Sequence, residues 1–275
     1  MGLAAGMTAN DTLKIYSERG ATIFPPKRGF GALWQLGRWA AKPKYDQRIL
    51  RDELVAVFGS AILDDAKVRA VIPCFEGRYG DPYIYKTPHH PDFHLDRMNQ
   101  LAHVALQTAA APSFFASVEN DGYIMVDGGL WANNPTMIAV VEAISCFDVS
   151  LENIRVLSIG TGGPLVSTNH LRDAGWAGWI LPDRFSAPLV FTAAVKAQSD
   201  NAIGQAGLLI GPENVVRVAP SAEFAGIGMD DVGRAIIALP AAAVAETAIS
   251  GARVARAFLA EPADQFVKYP PIRRI

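Results

Sequence analysis

Val126-Asp127-Gly128-Gly129-Leu130-Trp131-Ala132-Asn133-Asn134-Pro135 is the stretch on which the fold reading turns. Tyr123 to Val126 ahead of it reads as a strand, so Asp127 falls just past a strand end, where α/β sheets place their sites. Gly128 and Gly129 let the backbone turn sharply and leave room for another group to approach. Asn134 then reads as the cap of a helix with Pro135 at its first position and a buried stripe of Met137, Val141 and Ile144. An Asp-Gly turn between strand and helix is common in any α/β protein, so the neighbouring segments decide what this one means.

Working outward, strand-like and helix-like segments alternate, which argues for an α/β layered architecture. Upstream, Met98 to Ala110 has helical spacing, with Leu101, Ala105 and Thr108 on one face and Pro112 as its stop. Val68 to Phe75 reads as a buried strand, Pro82 to Tyr85 as a shorter one, and Gln47 to Phe58 as a helix. Residues 25–44, with Trp34 and Trp39, read as a long loop. Thr8 and Asp11 form a capping-box-like start to a helix that Gly20 should stop. Downstream, Ile154 to Ile159 reads as a core strand running into Gly160-Thr161-Gly162-Gly163, followed by a helix over Phe185 to Ile203 and a strand over Val215 to Val218. An Ala-rich helix from Pro240 closes the pattern, with apolar positions at Val244, Ala248, Ala252, Ala255 and Phe258. No internal repeat or clear linker interrupts the chain, so a single domain is expected over 1–275.

Composition narrows the function. Of 275 residues, 50% are hydrophobic and 19% charged, enough to bury a core. The 25 basic and 27 acidic side chains give a net charge of −2, which argues against a broad DNA- or RNA-binding surface. Two cysteines, Cys74 and Cys146, make neither a disulfide framework nor a Cys-based zinc site, and suit a reducing compartment such as the cytoplasm. The weakly polar run Ile236 to Ile249 is short, holds Pro240 and Glu246, and is not read as a membrane span. His89, His90 and His94 lie in a Pro-broken stretch read as a polar loop, not a metal site.

Four ordered segments together resemble the patatin-like phospholipases. Glu18 to Pro25 resembles the segment after that family's nucleophile helix, and Ala105 to Phe115 its "ATSAAPTYF" helix end. Asp127 to Pro135 resembles the dyad motif, and Val156 to Gly162 the "LSLGTG" strand. The resemblance implies a three-layer α/β/α patatin-like domain with a mainly parallel sheet. Residues 1–140 would be the C-terminal part of the catalytic core, and 141–275 the remaining sheet and C-terminal helices. It further implies a lipid acyl hydrolase with a Ser–Asp dyad, in which Asp127 is the general base, Gly128 and Gly129 admit the serine, and Asn133 and Asn134 brace the loop. No metal or organic cofactor is implied. The partners would be a lipid or phospholipid substrate and, transiently, a membrane surface.

The family's nucleophile elbow, Gly-x-Ser-x-Gly, does not occur in these residues, nor does its glycine-rich oxyanion loop. Ser60, in Phe58-Gly59-Ser60-Ala61-Ile62, has the wrong glycine spacing, and Ser158 belongs to the Gly-Thr-Gly strand. Met1 to Gly6 resembles the tail of the nucleophile helix, so the expectation is an N-terminally truncated domain starting just downstream of its serine. The alternative is a non-catalytic fragment or ligand-binding pseudoenzyme of the same fold. Tyr85-Lys86-Thr87-Pro88-His89-His90-Pro91 resembles the patatin-like effectors of bacterial antiviral defence, which a cyclic oligonucleotide switches on; Lys27, Arg28, Lys42, Lys44 and Lys86 would supply charge for such an activator.

Overall fold

The computed structural model describes residues 1–25, 42–147, 149–162, 175–180, 188–221, 224 and 227–270. Trp34, Trp39, Lys27, Arg28, Gly163 and His170 lie outside them. The chain divides into two compact units, one of Met1–Trp131 with the tail from Asp264, the other of Ala132–Ala263.

In the first unit, Thr8 opens helix α1 (Ala9–Lys14) with a reciprocal box: its hydroxyl accepts the Asp11 N–H at 3.1 Å, and the Asp11 carboxylate accepts the Thr8 N–H at 3.2 Å. Gly20 does not stop the helical run as expected. A π-turn over Ile15–Arg19 carries it into α2 (Gly20–Ile23), where Gly20 is buried and takes ordinary helical angles; the run ends just before Pro25. Helix α3 (Gln47–Phe58) has the bounds its spacing predicts, with Asp46 accepting the Arg48 N–H at 2.9 Å and Gly59 at φ 57° ending it.

Strands β1 (Val71–Glu76) and β2 (Asp81–Lys86) form a hairpin. The Glu76 carboxylate accepts the backbone N–H groups of Arg78 and Tyr79 in its turn and of Ile124 across the sheet. Helix α4 (Leu101–Thr108) packs on β1 and on β4 (Tyr123–Asp127), which turns back from the short β3 (Val118–Asn120) at Asp121-Gly122. Both turn residues have positive φ, as a tight hairpin demands. The sheet order is β2-β1-β4-β3, and every pairing in it is antiparallel. The mainly parallel sheet expected from the resemblance is therefore not what these strands form. Two of the three pairings are closed by turns of a few residues, which can only join antiparallel neighbours. Leu63, Cys74, Tyr85, Leu101, Val104 and Met125 form the centre of the core. From β4 the chain enters a single turn of helix, α5 (Gly129–Ala132). The tail returns to this unit: the Arg97 guanidinium donates to the Tyr269 carbonyl at 2.8 Å, and the Tyr269 N–H to the Pro88 carbonyl at 3.0 Å.

The second unit contains α6 (Thr136–Phe147), β5 (Val156–Ile159), the short α7 (Trp176–Ile180), α8 (Leu189–Ile210), β6 (Val215–Val218) and α9 (Val232–Phe258). β5 and β6 pair in parallel, with α8 between them in sequence. Val140, Ile154, Ala206, Ile210 and Val215 make the core. On α6 the buried side holds Thr136 and Val140, whereas Val141 and Ile144, expected inside, are exposed. The helix is apolar nearly all round, so periodicity alone does not fix its facing; the Thr136 hydroxyl, bonded to Asn134 and Ser158, turns it by one residue. Helix α9 starts eight residues before Pro240 and runs through it, 27 residues in all, which overturns the reading of that region as a short, broken run. By length and composition it is long and apolar enough to cross a membrane.

Candidate active site

Asp127 is the last residue of β4, opposite Cys74 of β1. In this antiparallel register the next pair would be Pro73 and Gly128, but Pro73 has no N–H to continue the ladder. The chain leaves the sheet there, and Gly128 passes directly over the Pro73 carbonyl. A Cβ on Gly128 would collide with the carbonyl oxygen and carbon of Pro73 and stand 2.9 Å from its Cβ. Glycine is thus required by close approach. The Pro73 oxygen is held from its other side by the Thr108 hydroxyl at 2.6 Å, and the Trp131 indole N–H donates to the Cys74 carbonyl at 2.8 Å. The Asp127 N–H reaches the Ala110 carbonyl at 3.2 Å, so the end of α4 also braces the strand end.

The Asp127 carboxylate is half-buried. Its Oδ1 accepts the Gly129 N–H at 2.7 Å; among the described residues nothing donates to Oδ2. Burial raises its pKa above the ordinary 3.8, and the Gly129 hydrogen bond offsets part of that rise. A half-desolvated carboxylate with one oxygen pinned and one open has the properties of a general base. Cys74 cannot serve as its nucleophile: burial first, with the Asp127 charge adding, pushes its thiol up to about 12, so it stays protonated.

Asn133 and Asn134 belong to the second unit. Asn133 is exposed. Asn134 is buried, and its side-chain oxygen accepts the Thr136 N–H at 3.2 Å and the Thr136 hydroxyl at 2.6 Å, while its amide donates to the Ser199 carbonyl at 3.2 Å. The Pro135 carbonyl accepts the Ala139 N–H, so Pro135 takes the cap position of α6 and Thr136 is its first residue, one place later than expected, while Asn134 just ahead accepts the Thr136 N–H with its side chain. The Thr136 and Ser158 hydroxyls share a hydrogen bond of 3.1 Å, and the Arg217 guanidinium donates to Ser158 at 2.7 Å. Ser158 is therefore a buried structural hydroxyl of β5, and Ser60 lies exposed beyond the end of α3. Asn134→Ala is expected to cost about 2 kcal/mol, because it removes the acceptor of the Thr136 N–H at the helix start and leaves the buried Thr136 hydroxyl with Ser158 alone; a lower urea midpoint at unchanged m-value checks this. The parts that sequence reasoning did not assign are Pro73, Thr108 and Trp131. Only Trp131, inside the Asp127 to Pro135 segment, left a signal.

A family model described as patatin-like phospholipase matches residues 1–140, just over half of the chain and the whole of the Asp127 turn. The chain belongs to that family. Among its relatives is a cGAMP-activated phospholipase of Vibrio cholerae, 33% identical over 192 residues, which cover 66% of this chain and 54% of the relative. A cGAMP-activated phospholipase of Pseudomonas aeruginosa is 34% identical over 187 residues, 65% of this chain and 54% of that protein. Patatin-like protein 2 of Arabidopsis thaliana is 31% identical over 220 residues, 70% and 53% respectively. This patatin-like chain thus spans about half the length of the curated relatives it matches.

Proposed function

We propose that the protein is a lipid acyl hydrolase in which Asp127 is the base of a Ser–Asp dyad, the serine being supplied by residues N-terminal to these 275. The observation that carries this reading is the Asp127 carboxylate itself: at a strand end, half-desolvated, with Oδ1 fixed by Gly129 and Oδ2 open. In the reaction Asp127 Oδ2 takes the proton of the serine hydroxyl as the serine oxygen attacks the ester carbonyl. The proton passes to the departing alcohol, leaving an acyl-enzyme. Water, deprotonated by the same carboxylate, then releases the fatty acid and restores the serine. The substrate class is a phospholipid or other lipid ester, and a cyclic oligonucleotide is the activator, by extension from the relatives named as cGAMP-activated.

One assay tests both parts. Acyl-ester hydrolysis is measured for the 275-residue chain and for the chain extended through the upstream in-frame sequence, each with and without cGAMP. The expected result is essentially no turnover by the short chain and hydrolysis by the extended one, rising when cGAMP is added. Turnover by the short chain would mean that another residue is the nucleophile. An upstream sequence without a Gly-x-Ser-x-Gly turn, and an inert extended protein, would leave the scaffold or ligand-binding reading in its place.

A further inference from the structure

Helix α9 buries very little for so apolar an element. Ala242, 2% exposed, is its buried residue, and the helix packs on β6. Arg253 ties it there by donating to the carbonyl of Glu213 at 2.7 Å and of Val215 at 3.4 Å. At about 100° per residue, Ile237, Pro240, Val244, Ala248 and Ala255 fall within a sector of roughly 80°, centred about 160° round the helix from Ala242. That sector faces outward, with Ile237 80% and Val244 72% exposed. A continuous outward apolar face on a helix of 27 residues is far more than the scattered exposed aliphatics of an ordinary surface.

We propose that this face of α9 lies in the plane of a phospholipid membrane, inserted to the headgroup boundary, and holds the protein against its substrate. The inference rests on the lipid-hydrolase reading above for its purpose, and on the helix for its chemistry. Within Val232–Phe258 the charged residues are Arg234, Arg253 and Arg256 against Glu246, 3 − 1 = +2, in a chain whose net charge is −2. Glu246 is half-buried and accepts the Ser250 hydroxyl at 2.6 Å, and Arg234 meets Asp231 at 3.5 Å. The positive excess therefore lies at the C-terminal half, where the exposed Arg256 stands about 120° round the helix from the centre of the apolar sector, on the flank that a helix lying in the membrane plane turns to the headgroups. An apolar stripe with an exposed arginine on its flank matches acyl chains beneath phosphate headgroups. The ties of Arg253 and Ala242 to β6 favour a helix lying on the surface over one crossing it.

The test is co-sedimentation of the 275-residue protein with vesicles of diether phosphatidylcholine, alone or mixed with diether phosphatidylglycerol. Ether lipids cannot be deacylated, so this readout stands apart from any hydrolysis, and failure here is distinguishable from failure of the dyad reading. Binding is expected, stronger with phosphatidylglycerol. Val244→Glu or Ile237→Glu should lower the bound fraction at least about tenfold while leaving the circular dichroism spectrum unchanged. Arg256→Glu should remove the preference for phosphatidylglycerol, and alkaline carbonate should release the bound protein. Absence of vesicle binding, or variants that bind like the parent, would overturn the proposal. So would retention through carbonate, which would mean a spanning helix. A dimer in sedimentation velocity that Val244→Glu dissociates would assign the face to a second copy of the chain and overturn it equally.

Discussion

In the N-terminally extended protein, Asp127→Asn is expected to lower kcat for acyl-ester hydrolysis by about 10²–10⁴-fold with little change in KM, the range for loss of a positioned general base. Asparagine keeps the shape of the side chain, and its oxygen still accepts the Gly129 N–H that Oδ1 accepts at 2.7 Å, so the turn stays in place while basicity is lost. Stability should move the opposite way. Asp127 has a pKa raised in the fold by burial, so at neutral pH its ionised form opposes folding. That opposition fades as the pH falls through the raised folded value and is gone near 3.8, where the unfolded chain also takes up the proton. Asp127→Asn should therefore raise the Tm at pH 7, and the gain should shrink as the pH is lowered towards 4. Thermal melts of the parent and the variant at several pH values check the sign. A Tm that falls at pH 7 would mean that the Gly129 contact outweighs desolvation, and a kcat within twofold of the parent would remove Asp127 from the chemistry.

The Asp127 turn was readable in the sequence because its cues are local: a strand of four apolar or aromatic residues, a carboxylate, two glycines and an Asn-Pro helix start. Helix α3 was readable for the same reason, with Asp46 and Gly59 marking its ends. Strand direction was not, although the signals were present. Gly77 to Gly80 and Asp121-Gly122 are hairpin turns, but β3 is three residues long, too short for a period-2 pattern to register. Periodicity does not give the facing of α6, because the hydrogen bond between the Thr136 and Ser158 hydroxyls decides it, and hydrogen-bond partners distant in sequence leave no periodic trace. In sequence Pro240 reads as a break, yet a proline on the outward side of α9 gives up one backbone bond without disturbing the packing of Ala242. The role of Pro73 at the site was hidden most completely. Its lack of an N–H ends β4 at Asp127, a consequence visible only once β1 and β4 are known to pair.

That pairing makes Gly128→Ala the most damaging single methyl group the structure suggests. Gly128 does not have a positive φ, so the cost is not conformational; it is collision with the backbone of Pro73. No side chain can rotate out of the way, because the atoms met are the carbonyl carbon and oxygen of a strand flanked by β2 and β4 and anchored by the Thr108 hydroxyl. Relief requires β1 to separate from β4 or Asp127 to move off its register with Cys74, and either shift opens the core around Cys74 and Met125. The expected loss is about 3 kcal/mol or more, at the severe end for overpacking. Gly204→Ala in α8 is the matched control: nothing lies within 4 Å of its Cβ position, so replacement by alanine there should be neutral or stabilising by up to about 1 kcal/mol. Urea unfolding of the two variants beside the parent separates the cases. Equal midpoints for Gly128→Ala and the parent would mean that the strand end is free to open, and Asp127 would then lack the fixed position on which its role as a base depends.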